Sequence, residues 1–457
     1  MRRPVGSRTG FRRWLQPGMG VKRWLGLVFA GLLLLALGAA HVIRQVTPDL
    51  EPGSVAGTIV DLVTLQFLPF ALRGLIAGTL GAVVVVVGMW RLIRAVTDPL
   101  LAASPGEDQP LVEVIYQKRF LARGPKVVAI GGGTGLSTLL RGMKEHTSNL
   151  TAIVTVADDG GSSGALRTEL GIPPVGDIRN CIAALADAEP LMSELLGYRF
   201  PGGVQAEGMP VETEPGGLGG HAVGNPLLAA MTALEGGDFE EGVRMMNRVL
   251  AVRGQVVPAS PTPITLHATS KEGLVMTGQS SIARVPGVER VWITPKDVAA
   301  ADDALAAIAD AEIIVLGPGS LYTSVLPVLL IPAIRDAVAS ATAIRVYACN
   351  VATQTGETAG YDLADHVEAL LVHTVPGLVD VVLANDEFGL PGGPGQPPAV
   401  ALRWPPKAEP VPHLATDSVA SAADPHHHDP ARLAAAILRA CEREASAVRR
   451  ERVARTA

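Results

Sequence analysis

The sequence predicts an α/β fold: a Rossmann-like, mostly parallel sheet with helices on both faces, preceded by two transmembrane helices. Three observations predict it. From Lys126 onward, short β-branched runs alternate with longer amphipathic ones, the pattern of strands buried on both faces. Glycine-rich segments follow several of those runs, at the strand-to-helix junctions where parallel sheets bind ligands. Two apolar stretches, each about as long as a bilayer core is thick, lie ahead of all this.

Residues 24–43 and 67–93 are those two stretches, the second interrupted near its start by Arg73. Residues 1–23 carry Arg2, Arg3, Arg8, Arg12, Arg13, Lys22 and Arg23, and Arg91 and Arg94 close the second stretch. The segment between them, 44–66, has one arginine against Asp49, Glu51 and Asp61. By the positive-inside rule both ends face the cytoplasm and the short loop lies outside. The expectation is therefore a multi-pass protein of the cell membrane with its main domain in the cytoplasm. A linker spans 94–123, the ligand-binding domain 124–440 and a basic tail 441–457.

Within the main domain, KVVAI (126–130), TAIVTV (151–156), EIIVL (312–316), AIRVYA (343–348) and VVLAN (381–385) read as strands. STLLRGMKEH (137–146) and IRNCIAALADA (178–188) read as helices between them, and the chain from Pro430 as a final helix. Residues 196–219, rich in glycine and proline, read as a mobile loop near the site. Residues 391–412 hold too much proline for a sheet interior.

Composition narrows the function. Of 457 residues 48% are hydrophobic and the formal net charge is −6, with no clustered basic face of the kind nucleic acid requires. Cys181, Cys349 and Cys441 lie far apart with no CxxC, as reduced thiols would. No GxSxG, no HExxH and no cysteine with an evident base partner nominates a covalent nucleophile. HHHDP (426–430) reads as an exposed segment rather than a metal site.

Four loops at strand ends carry the remaining signal. GGGTGLS (131–137) brings Gly131, Gly132, Gly133, Thr134 and Gly135 to the opening of a helix, where free N–H groups favour a phosphate. It is neither a Walker A loop nor a full GxGxxG, which disfavours a nicotinamide oxidoreductase. ADDGGSSGALR (157–167) offers Asp158, Asp159, Gly160, Ser162, Ser163 and Arg167. An acid at the end of a second strand commonly bonds a ribose hydroxyl. A magnesium ion on the paired carboxylates and a plain Asx turn are the alternatives. Neighbouring side chains on an extended segment point to opposite sides, so the two acids need not share one task. LGPGSLYTSVLP (316–327) supplies Gly317, Gly319, Ser320, Tyr322, Thr323 and Ser324 as a second anion cradle, and CNVATQTGET (349–358) supplies Asn350, Thr353, Gln354 and Glu357 to read a base or sugar. Asp177, Arg179 and Asn180 of VGDIRN, with His221 and Asn225 of GHAVGN, sit at the starts of apolar helices. Capping is the competing role for them.

Together VVAIGGGTGLSTLLRGMK, VTVADDGGSSGALR, PVGDIRNCIAAL, GHAVGN, LGPGSLYTSVLP, NVATQTGETAGY and DHVEAL resemble the gluconeogenesis factor (YvcK-type) family, within the CofD-like 2-phospho-L-lactate transferase superfamily. The likeness covers residues 124–440 and leaves the apolar front outside. It implies a non-enzymatic regulator that binds UDP-N-acetylglucosamine and is required for cell morphology and wall synthesis under gluconeogenic growth. Wall-synthesis proteins are the implied partners, and a homo-oligomer stays open. On this resemblance the ligand loops are 131–135, 158–164, 317–320 and 350–353. A late EGAxPV-type segment with a nearby tyrosine is replaced here by RWPPKAEPV, which puts Arg403 or Trp404 in the tyrosine's place. The enzymatic alternative is a transferase that uses a nucleoside-diphosphate-linked donor, but DDGGSSGALR and PVGDIRN side with the non-transferase branch.

Overall fold

The computed structural model describes residues 21–43, 69–101, 120–201, 217–386 and 397–456. It divides into two compact units, Met1–Arg123 and Gly124–Ala457. Part of the expected mobile loop (202–216) and part of the proline-rich segment (391–396) lie outside the described residues, as do the basic N-terminus and the connecting loop 44–66.

The first unit contains helices Val21–Ile43 and Phe70–Leu101. They pack through glycine: a Cβ on Gly31 would lie 2.7 Å from a methyl of Val85, and one on Gly81 would lie 2.8 Å from the Leu35 nitrogen. Small residues at such crossings let the helix backbones close on each other. The expected pair of bilayer-crossing helices is not supported. Among the described residues no single helix is long and apolar enough to cross a membrane, because the apolar helical runs Trp24–Ala36 and Gly78–Ile93 are each shorter than 18 residues.

The second unit holds a seven-stranded, all-parallel sheet. Its strands are β1 Val127–Gly131, β2 Leu150–Val154, β3 Gln255–Pro258, β7 Ile313–Leu316, β8 Ile344–Ala348, β9 Val381–Asn385 and β10 His413–Asp417. The spatial order is β10-β9-β8-β7-β1-β2-β3, so the winding reverses between β1 and β7. Every residue of β1, β2, β7 and β9 is buried, as the uninterrupted apolar runs require.

Between β3 and β7 the chain inserts a small antiparallel sheet in which β4 Thr265–Ser270 pairs with both β5 Val275–Thr277 and β6 Val288–Thr294. β4 alternates, burying Leu266, Ala268 and Ser270. On its other face His267 stacks on Trp292 with centroids 5.5 Å apart.

Helix Gly133–Met143 buries Leu136, Leu139, Leu140 and Met143, spaced to share one face, together with Ile178, Ile182 and Leu185 of helix Gly176–Leu185. The C-terminal helix Pro430–Thr456 runs without a break through residue 441 and buries Cys441, so the domain does not stop at 440. It lies against the first helix so closely that a Cβ on Gly142 would sit 1.9 Å from the Pro430 carbonyl oxygen. Gly142→Val is expected to lower unfolding stability by more than about 2 kcal/mol in urea titration, since backbone cannot yield as a side chain does.

Candidate functional site

In an open parallel sheet the point where strand order reverses leaves a crevice beyond the strands' carboxyl ends. Here β1 and β7 flank it. β1 runs into Gly132 and then Gly133, whose φ of +65° starts helix Gly133–Met143 four residues earlier than the sequence pattern suggests. β7 runs into Gly317 and Gly319 before the turn Leu321–Val325. A Cβ on Gly135 would lie 2.5 Å from the Pro318 carbonyl oxygen, so the two loops touch only because position 135 has no side chain. Asn350, just past β8, holds the second loop reciprocally: Gly319 N–H donates to its Oδ1 at 3.1 Å, and its Nδ2 donates to the Gly319 carbonyl at 3.0 Å. The Gln354 amide donates to the Ser320 hydroxyl at 2.7 Å.

These loops wall a cavity of ≈ 320 Å³. Of the residues singled out in the sequence, Gly132, Gly133, Thr134, Gly135, Asp177, Gly319, Ser320, Asn350, Thr353 and Gln354 line it. Ser324 of the second cradle lines it as well; sequence reasoning missed Gln279 and set the histidines 426–428 aside as an exposed segment, yet they line it too. His428 Nε2 donates to the Cys349 carbonyl at 3.1 Å and so ties the histidine segment to the end of β8. The Oε1 atoms of Gln279 and Gln354 are buried and accept no hydrogen bond. Such an unmet acceptor costs about 1–3 kcal/mol until a donor reaches it.

Among the described residues Asp177 is the one carboxylate on the cavity wall. Its carboxyl takes the Gly133 N–H, at the helix start where an anionic ligand would also be drawn. Burial, reinforced by the neighbouring Asp158, pushes its pKa up to about 6 against the pull of the Gly133 N–H and Arg179.

The remaining predicted residues stand behind or beside the cavity. Asp158 accepts the Gly160 N–H at 3.0 Å, while Asp159 accepts the Ser280 N–H at 2.9 Å from the inserted sheet's helix. The two acids do divide their tasks. Burial raises the Asp158 pKa despite hydrogen bonds from Gly160 and Ser163. Arg179 donates to Asn225 at 3.0 Å and to Asn180 at 2.8 Å; Asn225 donates to Ser162 at 2.8 Å, and Ser162 meets His221 Nδ1 at 2.9 Å. Arg179 and Asn180 line a smaller cavity of ≈ 140 Å³ that shares Thr134 with the main one.

Arg167 does not reach the cavity, because its guanidinium bonds Thr265 at 2.8 Å and pins its helix to β4. Tyr322 is buried with its hydroxyl 2.9 Å from that of Tyr361, and Thr323 bonds the buried Glu357 at 2.5 Å, so both brace the loop from beneath. Gly131 ends β1 and Gly317 directly follows β7. Arg403 pairs with Asp362 and Asp365 and Trp404 packs on the core, neither of them in the cavity wall. Among the described residues no cluster of three His, Cys, Asp or Glu side chains is arranged to hold a metal ion.

The family described as 2-phospho-L-lactate transferase CofD matches residues 127–390, which takes in β1, β7, β8 and the loops that follow them. The chain belongs to the CofD family. Within it, the chain is 48% identical over 268 residues to the gluconeogenesis factor of Bacillus subtilis, covering 58% of this chain and 80% of that protein. It is 51% identical over 262 residues to the gluconeogenesis factor of Halalkalibacterium halodurans, covering 57% and 77%. A crystal structure of a UPF0052-family protein from Bacillus halodurans has the same fold: 42% identity, TM-score 0.60, 69% of this chain and 99% of that one. The CofD-family match ends short of the histidine segment, which completes the cavity from outside the matched range.

Asp177 gives a pH test. A carboxyl whose folded pKa of about 6 exceeds the usual 3.8 stabilises the fold fully below pH 3.8 and loses that contribution as pH rises through 6. Asp177→Asn is therefore expected to gain about 1–2 kcal/mol over the wild type near pH 7.5, a gain that vanishes by about pH 4. Thermal unfolding across that range measures it.

Proposed function

We propose that this chain is a non-enzymatic regulator that binds UDP-N-acetylglucosamine at the switch-point cavity and links its supply to wall synthesis and cell morphology during gluconeogenic growth. One observation carries the reading. The cavity joins two glycine loops suited to phosphates with two unpartnered amide carbonyls suited to the N–H and O–H groups of a base or sugar. Two relatives named gluconeogenesis factors support the physiological part.

Titration of the purified full chain with UDP-N-acetylglucosamine tests the ligand. Saturable binding is expected, weakened at least tenfold in Gly135→Val, whose side chain would part the two loops. Turnover of a guanosine-diphosphate-linked phospholactyl donor, with no binding of the UDP-sugar, would replace this reading with the transferase one.

The same proposal includes a membrane tether. The outward faces of the two N-terminal helices are apolar, with Phe29 71%, Leu33 65% and Val86 66% exposed. Apolar surface of that extent is stable only against lipid or protein. With the flanking arginines, this supports an anchor whose C-terminal side is cytoplasmic. A reporter fused after Ile93 is expected in the cytoplasm, and an external signal reverses the topology.

A further inference from the structure

The charges around the cavity do not suit a phosphate as they stand. A diphosphate brings at least two negative charges, yet among the described residues no lysine or arginine lines the cavity, and Asp177 adds a carboxyl to it. Helix-start N–H groups supply only about half a positive charge, and the Gly133 N–H is already given to Asp177. The remaining groups able to become cationic are His426, His427 and His428.

His428 cannot serve. It is buried, which holds its pKa down at about 4, and its Nε2 is committed to Cys349. His426 and His427 are less buried and sit on the same lip. Asp424 orders that lip: its Oδ2 lies 2.7 Å from His427 Nδ1 and its Oδ1 accepts the His426 N–H at 3.2 Å. The titratable groups set around the pair are thus Asp424, Asp177 and His428.

We propose that His426 and His427 are the cationic phosphate-binding residues of this site, and that they take up protons when the ligand's diphosphate enters. The proposal rests on the nucleotide-sugar reading for the identity of the ligand but not for its phosphate chemistry. A histidine lip makes affinity depend on pH, as an arginine would not.

Calorimetric titration of the full chain with UDP-N-acetylglucosamine, in two buffers of different ionisation enthalpy, counts the protons. Uptake of about one proton near pH 7.5 is expected, with affinity rising roughly tenfold toward pH 6. In the His426→Gln/His427→Gln double variant, most of that pH dependence and of the proton uptake disappears. Asp177→Asn serves as the control, because an unchanged pH slope in the histidine variant that is lost in Asp177→Asn would transfer the proton to Asp177 and overturn the proposal. Inorganic pyrophosphate separates the two readings. Pyrophosphate binding with proton uptake but no UDP-sugar binding refutes the nucleotide-sugar reading alone. UDP-sugar binding with buffer-independent enthalpy refutes the histidine lip alone.

Discussion

The contact between position 135 and the Pro318 carbonyl is the constraint on which the rest depends. Two parallel strands, β1 and β7, lie side by side while the chain leaves them toward opposite edges of the sheet. That reversal opens a crevice in any sheet of this type. In this one the crevice stays narrow because the two loops are allowed to touch through a missing side chain. Everything that faces the cavity is then positioned relative to that contact. Asn350 grips the second loop by both poles of its amide, Gln354 reaches Ser320, and Glu357 braces Thr323 from below.

The parallel sheet was legible because burial on both faces leaves a crude and robust trace, an unbroken β-branched run such as VVAI. The inserted antiparallel sheet was not. β4 reads TLHATS, where alternation is present but the buried positions include a serine and an alanine, too weak a contrast to stand out. The start of helix Gly133–Met143 was placed late because glycine ordinarily weakens a helix, whereas here its positive φ makes the turn into one.

At the site, the loops next to strands were legible because topology alone sends strand ends to the ligand. The histidine segment was not, since His428 meets Cys349 across 79 residues of sequence. Arg167 shows the converse. A basic residue inside a glycine- and serine-rich motif suggests an anion, but its guanidinium is spent on Thr265, where it fastens one sheet to the other. Motif membership and position in the cavity are separate properties, and only packing distinguishes them.

The C-terminal helix has a consequence for how the chain can be shortened. Pro430 presses on Gly142 of the helix that begins at the glycine loop, and only Asp429 separates the three histidines from Pro430. A cut placed between the end of β10 and His426 would strip the far wall of the cavity and uncover the back of the helix that opens at the glycine loop in a single step. The last segment of the chain is therefore a keystone of the cavity, and a phenotype of a truncated chain would report that loss of support rather than a missing tail.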